Sequence, residues 1–171
     1  MDIRQVMKIL PVFILFGILL SGCANFIKPE IGAVARQDAR IDLTADGVQN
    51  GVFSTKDLVL AYSISESGDM FNISGELSFA QSVTYSFGII KRFILKMNFL
   101  DEEGGVIETV DITPLIHSFG SVPDKTRIKH SSIRPPGASS IAFNYYGVFK
   151  GNSNDEGGGG ATWEIFYFPF D

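Results

Sequence analysis

From Leu58 onward the chain alternates. In DLVLAYSISE, Leu58, Leu60, Tyr62 and Ile64 occupy every second position. Side chains alternate across a β-strand, so these four share one face. Ser67-Gly68-Asp69 makes a turn, and MFNISGELSF follows with Phe71, Ile73, Leu77 and Phe79 on one side. Asn72, Ser74, Glu76 and Ser78 take the other. Two alternating runs around a glycine turn predict a β-hairpin. Phe93, Leu95, Met97 and Phe99 restart the alternation against Arg92, Lys96 and Asn98. Asp101-Glu102-Glu103-Gly104-Gly105 turns the chain, and Val106, Glu108, Val110 and Ile112 return. TRIKHSSI (126–133) reads as a strand closed by Pro135-Pro136-Gly137. In SIAFNYYGVF, Ile141, Phe143, Tyr145 and Phe149 share a face; TWEIFYFPF then sets Trp163, Ile165 and Tyr167 against Glu164, Phe166 and Phe168. With apolar residues on both faces, that last strand is expected to lie centrally or beneath a loop.

Between these runs the pattern weakens. Residues 45–56 hold Asp46-Gly47 and Asn50-Gly51, both turn signals. Residues 80–91 read as a connection with a short strand in it, and Pro114, Gly120 and Pro123 mark a long connection. About seven strands and no amphipathic helix predict an all-β domain over residues 41–171, an antiparallel, immunoglobulin-like β-sandwich.

The first residues follow a different rule. MDIRQVMK carries Arg4 and Lys8 against Asp2, and ILPVFILFGILL (9–20) follows without a charge. A basic start, an apolar stretch and a small-residue exit form the layout of a secretory signal peptide. As a helix the apolar stretch would measure about 18 Å against a hydrocarbon core of about 30 Å, too short to span. Pro11 weakens such a helix further. Leu20-Ser21-Gly22-Cys23 resembles the lipobox of bacterial lipoproteins. That resemblance implies a diacylglycerol on the Cys23 thiol, cleavage after residue 22 and acylation of the new amino terminus. Ala24 stands where an aspartate would resemble an inner-membrane retention signal in enterobacterial lipoproteins, which implies the outer membrane. Residues 23–40, with Pro29, Gly32 and scattered charges, are expected to be a lipidated tether holding the domain off the bilayer.

Composition narrows the partners. Cys23 is the single cysteine, so no disulfide staples the fold. Losing Arg4, Lys8 and Asp2 with residues 1–22 takes the formal charge from −5 to −6. No basic stripe of the kind that tracks phosphates is present, which argues against nucleic acid. Fifteen phenylalanines and five tyrosines favour pleated surfaces, where aromatic rings pack well.

Candidate chemistry is sparse, and no cofactor is expected. His117 and His130 are the only histidines, and neither has partners at a metal-ligand or triad spacing. Asp101, Glu102 and Glu103 read as a solvated turn, with calcium as the alternative, although the spacing departs from the calcium-loop pattern. Asn152, Asn154, Asp155 and Glu156 lie in a glycine loop and form a second calcium alternative; the preferred reading is a disordered hairpin tip. Tyr145-Tyr146 and Trp163 offer a possible sugar-stacking platform, although alternation turns only one of the two tyrosines outward and Trp163 is expected in the core. Leu58–Ile112 resembles the small immunoglobulin-like modules of the FxLyD and late-embryogenesis-abundant type. The resemblance is carried by Gly75-Glu76-Leu77 and by Phe93, Leu95, Met97, Phe99, Asp101 and Gly104, while Phe79-Ala80-Gln81 stands where those modules carry an asparagine. It implies an envelope interaction module, not a catalyst. The expectation is a non-catalytic envelope lipoprotein with a protein partner, and the alternative is a glycan-binding lipoprotein.

Overall fold

The computed structural model describes residues 27–44, 47–114, 120–151 and 160–171. Its strands, among the described residues, are β1 (Ile41–Asp42), β2 (Val48–Ser54), β3 (Leu58–Ser67), β4 (Met70–Phe79), β5 (Ile89–Leu100), β6 (Val106–Asp111), β7 (Gly120–Ser121), β8 (Thr126–Ile133), β9 (Ser140–Lys150) and β10 (Thr162–Tyr167). A single helical turn and a half, α1 (Gln81–Ser86), joins β4 to β5.

The alternation works as the sequence implied. β3 and β4 pair antiparallel in unbroken register from Leu58 opposite Phe79 to Ser67 opposite Met70, around the Gly68-Asp69 turn. β2 and β8 flank them, giving a four-stranded sheet in the order β2-β3-β4-β8. The other sheet is built on β5 and β9, which pair from Ile89–Lys150 to Leu100–Ser140. β6 and β7 add to the free edge of β5, and β1 and β10 to that of β9. The two antiparallel sheets face each other as an all-β sandwich.

Between the sheets lies an aromatic-rich core. Phe71 meets Phe99 edge-on at 5.0 Å, and Phe79 meets both Phe93 (5.0 Å) and Phe149 (5.3 Å). Edge-to-face contacts suit the ring quadrupoles and add to area burial. Phe143 on β9 touches Phe53 at 5.2 Å and Tyr62 at 5.6 Å, so it joins three strands and both sheets. Val83 of α1 closes one end of this core.

Three strands were hidden in the sequence. β2 lies where Asn50-Gly51 signalled a turn. Gly51 pairs with Tyr62, and a Cβ there would run into the tyrosine ring. The glycine marks a close approach inside a strand. β1 and β7 are two residues each, below the length at which alternation is legible.

The expected faces also need correction in places. Phe99 pairs with Glu108 but Leu100 pairs with Val106, so one extra residue, Ile107, forms a bulge. A bulge flips the side chains beyond it to the other face. Val106 therefore leaves the face of Val110 and Ile112 and joins Leu100, Ala142, Ala35 and Phe170 in a second cluster outside the sheet. β10 is an edge strand, not a central one, and Phe166 on it is 56% exposed.

The largest revision concerns residues 23–40. From Ile27 the described part of this segment belongs to the domain. Gly32 N–H donates to Val106 O (2.8 Å), Val106 N–H to Ala33 O (2.9 Å) and Ala35 N–H to Gly104 O (2.9 Å). On the other side Arg36 N–H donates to Pro169 O (2.8 Å) and Asp171 N–H to Val34 O (3.1 Å). The segment is thus spliced between the β5–β6 turn and the carboxyl-terminal residues. Its charges and proline obscured a strand-like path whose bonds to the sheet margin reach residues distant in the chain.

Phe143 is fully buried and central, so Phe143→Ala is expected to lower the unfolding free energy by about 3–5 kcal/mol. Urea unfolding followed by tyrosine and tryptophan fluorescence measures it.

Candidate functional site

Where the sandwich opens, β2 of one sheet and β1 and β10 of the other leave a cleft of about 510 Å³. Its floor is set by the β2–β3 turn. Thr55 N–H donates to Leu58 O (2.9 Å), and the Thr55 hydroxyl oxygen accepts the N–H groups of Asp57 and Leu58, each at 3.2 Å. This tight turn aims the Asp57 side chain inward, where the residue is only 6% exposed. Tyr145 reaches it from β9: its hydroxyl donates to Asp57 Oδ2 (3.0 Å) and lies 2.7 Å from Thr55 Oγ1. With the tyrosine proton directed at the carboxylate, the threonine hydroxyl is the donor of the second bond. The network ties the two sheets together at the mouth of the core.

One wall is aromatic. Tyr167 stacks on Tyr145 at 6.0 Å with 20° between planes, and Phe53 meets Tyr167 edge-on at 5.4 Å. Arg36 covers Tyr167 from outside, its guanidinium 5.8 Å from the ring centre, and donates to the tyrosine hydroxyl at 3.4 Å. Asp38 holds Arg36 at 3.5 Å, and Lys56 lies on the rim. Burial pushes the Tyr145 phenol well above its ordinary value near 10, and the Asp57 charge pushes the same way. Tyr145 is consequently a hydrogen-bond donor at neutral pH, not a base. The cleft combines a guanidinium laid over an aromatic wall with a carboxylate floor, which suits hydrogen bonding to a polar molecule.

A second polar arrangement lies on the outer face of the β5–β9 sheet. Thr109 donates to Asn98 Oδ1 (2.8 Å), Asn98 Nδ2 donates to Asn144 Oδ1 (2.8 Å), and Asn144 Nδ2 donates to the Ile27 carbonyl (2.9 Å). Both asparagines are almost wholly buried. Alternation correctly turned Asn98 away from the core, yet it is covered there. Buried amides in a fully paired ladder fix one geometry, since any slip leaves donors unpaired. The ladder therefore fixes where the chain enters the domain.

The residues singled out in the sequence scatter. Leu20, Ser21, Gly22 and Cys23 lie outside the described residues, as do His117 and the loop residues Asn152, Asn154, Asp155 and Glu156. His130 sits on β8 opposite Ile73. Asp101 is a turn residue: its Oδ1 accepts the Gly105 N–H at 2.7 Å, and Gly104 takes φ of 89°, which favours glycine. Glu102 and Glu103 are exposed beside it. Among the described residues no group of three or more His, Cys, Asp or Glu is placed to hold a metal. Tyr145 and Tyr146 point to opposite faces, Tyr145 into the cleft floor and Tyr146 outward. Trp163, expected in the core, is 52% exposed on the edge strand β10 and stacks on Phe87 at 5.9 Å. Arg36, Thr55, Asp57 and Tyr167 were not found from the sequence. The Thr55-Lys56-Asp57 step between two apolar runs was the available signal. No protein family, curated protein or solved structure matches the chain.

Tyr145→Phe leaves Asp57 buried without its donor and is expected to cost about 1–3 kcal/mol. Because the folded phenol titrates above the unfolded one, its stabilisation is complete below pH 10 and is lost as pH rises beyond it. Stability should fall there by up to about 1.4 kcal/mol per pH unit for this group. Denaturation at pH 9, 10 and 11 should give a shallower fall in Tyr145→Phe, with burial of Tyr62 accounting for part of the remainder.

Proposed function

We propose that the chain is a membrane-anchored, non-catalytic module of the bacterial cell envelope, lipidated at Cys23 and presenting a β-sandwich to a protein partner. The observation that carries this reading is the adjacency of two features. Leu20-Ser21-Gly22-Cys23 follows a charge-free stretch too short to span, and only three residues separate Cys23 from Ile27, where the folded domain takes up the chain. A second acyl group beside the diacylglycerol makes such an anchor effectively permanent. Among the described residues no helix is long and apolar enough to cross a membrane. The cleft supports binding over catalysis, because the Tyr145 proton and the Thr55 hydroxyl are engaged in holding the two sheets together. The resemblance of Leu58–Ile112 to FxLyD and late-embryogenesis-abundant modules supports an interaction role. Ala24 supports delivery to the outer membrane.

A second reading has its own observation. Tyr167 with Arg36 above it and Phe53 beside it offers a ring-and-guanidinium surface suited to a glycan.

Cells grown with radioactive palmitate should label the wild-type protein and not Cys23→Ser, which should accumulate as the uncleaved precursor. Label retained in the variant would refute the anchor. On a glycan array, binding by the wild type that falls at least tenfold in Tyr167→Ala, with the melting temperature little changed, would place the second reading first.

A further inference from the structure

The splice of residues 27–40 into the domain removes the expected spacer, and that constrains how the protein sits on its membrane. This inference rests on the Cys23 anchor proposed above. Ile27 is fixed by Asn144 on the outer face of the β5–β9 sheet. An extended chain advances about 3.3–3.6 Å per residue, so the four steps back to Cys23 reach about 14 Å at most. Two packed sheets are about 10 Å apart before their outer side chains are counted. The lipid-bearing residue therefore stays on the side of the sandwich where Ile27 lies, with little freedom to lift the domain.

We propose that the outer face of β5, β9 and β10 rests on the headgroup layer of the bilayer that holds the anchor, and that the outer face of β2, β3, β4 and β8 is turned to partners. The chemistry of the two faces fits this placement. Beyond Asn144, the β5–β9–β10 face carries Ile94, Tyr146 and Val148, all half-buried, with Phe166 alongside them and exposed. Aromatic rings with a polar tip suit the depth of lipid headgroups. Arg92 and Glu164 are exposed in one cross-strand row on the same face, so their charges balance there. The opposite face sets Ser63, Ser74, Glu76 and Lys129 among the exposed side chains of Val48, Val52, Val59, Met70 and Ile133, a mixture of polar and apolar positions suited to a protein partner.

A cysteine probe can read the orientation in the intact protein. Cys23 is the only cysteine, and as a thioether it does not react with thiol labels, so an introduced cysteine is the sole labelling site. Arg92→Cys and Ala61→Cys place exposed labels on the two opposite faces. Each full-length, lipidated variant would carry an environment-sensitive fluorophore in vesicles of phosphatidylethanolamine and phosphatidylglycerol. The label at residue 92 should be quenched by headgroup-region doxyl lipids and react several-fold more slowly with aqueous dithionite than the label at residue 61. Equal dithionite rates at the two positions overturn the proposal. Twenty Gly/Ser residues inserted after Asn25 should bring the residue-92 rate up to that of residue 61. Protection unchanged by the spacer also overturns it, because the short connection would then not set the orientation. Intact mass separates the two readings: a chain without diacylglycerol on Cys23 refutes the anchor itself, and the orientation with it.

Discussion

The pairing of β5 with β9 is the constraint on which the remaining structure depends. These two long strands run antiparallel from Ile89–Lys150 to Leu100–Ser140, and every other strand of their sheet adds to one of their free edges. Their inner side chains, among them Leu95, Met97, Phe99 and Phe143, are wholly buried against the opposing sheet. A one-residue slip would turn this entire set outward and bring Asn98 and Asn144 into the apolar layer. The register is therefore held from both faces, by apolar packing inside and by amide hydrogen bonds outside.

The outer hydrogen bonds link the fold to its proposed role. Asn144 receives the chain at Ile27, and the bulge at Ile107 turns Val106 outward to meet the incoming segment. Together they seat the segment from Ile27 onward against the outer face of this sheet. In a lipid-anchored protein, a chain entering at the centre of a sheet face presents that face to the bilayer, whereas a chain leaving from a loop tip would allow the domain to tumble. Under the proposed anchor, the polar ladder would orient the domain as well as fix its fold.

On the inner face of β9, Tyr145 performs a comparable task between the sheets. It is the one polar side chain from the core face of β9 that reaches the β2–β3 turn, and Thr55 and Asp57 satisfy its hydroxyl. The same contact shapes the cleft that Tyr167 and Arg36 wall. Binding there would be coupled to the closure of the two sheets, because a ligand touching Asp57 competes with the bond that holds the mouth of the core.

The period-two runs by themselves determined the all-β class, the β3–β4 hairpin and the inner faces of β5 and β9, because alternation is a local property imposed by burial on one side. Leu58, Ile73, Leu95 and Phe143 were legible for that reason. Only the tertiary structure decided the rest. Asn50-Gly51 reads locally as a turn, and the Tyr62 ring lying over Gly51 makes it a strand. Asn98 reads as a solvated position, and Asn144 with the incoming chain makes it buried. Arg36 lies among charges suited to a tether, and its backbone bond to Pro169 joins positions more than a hundred residues apart. The cleft is assembled from β1, β2, β9, β10 and the segment before them, so no window of sequence contains it. Contacts between distant residues depend on how the sheets stack and on where the register shifts fall, and neither leaves a periodic trace in the chain.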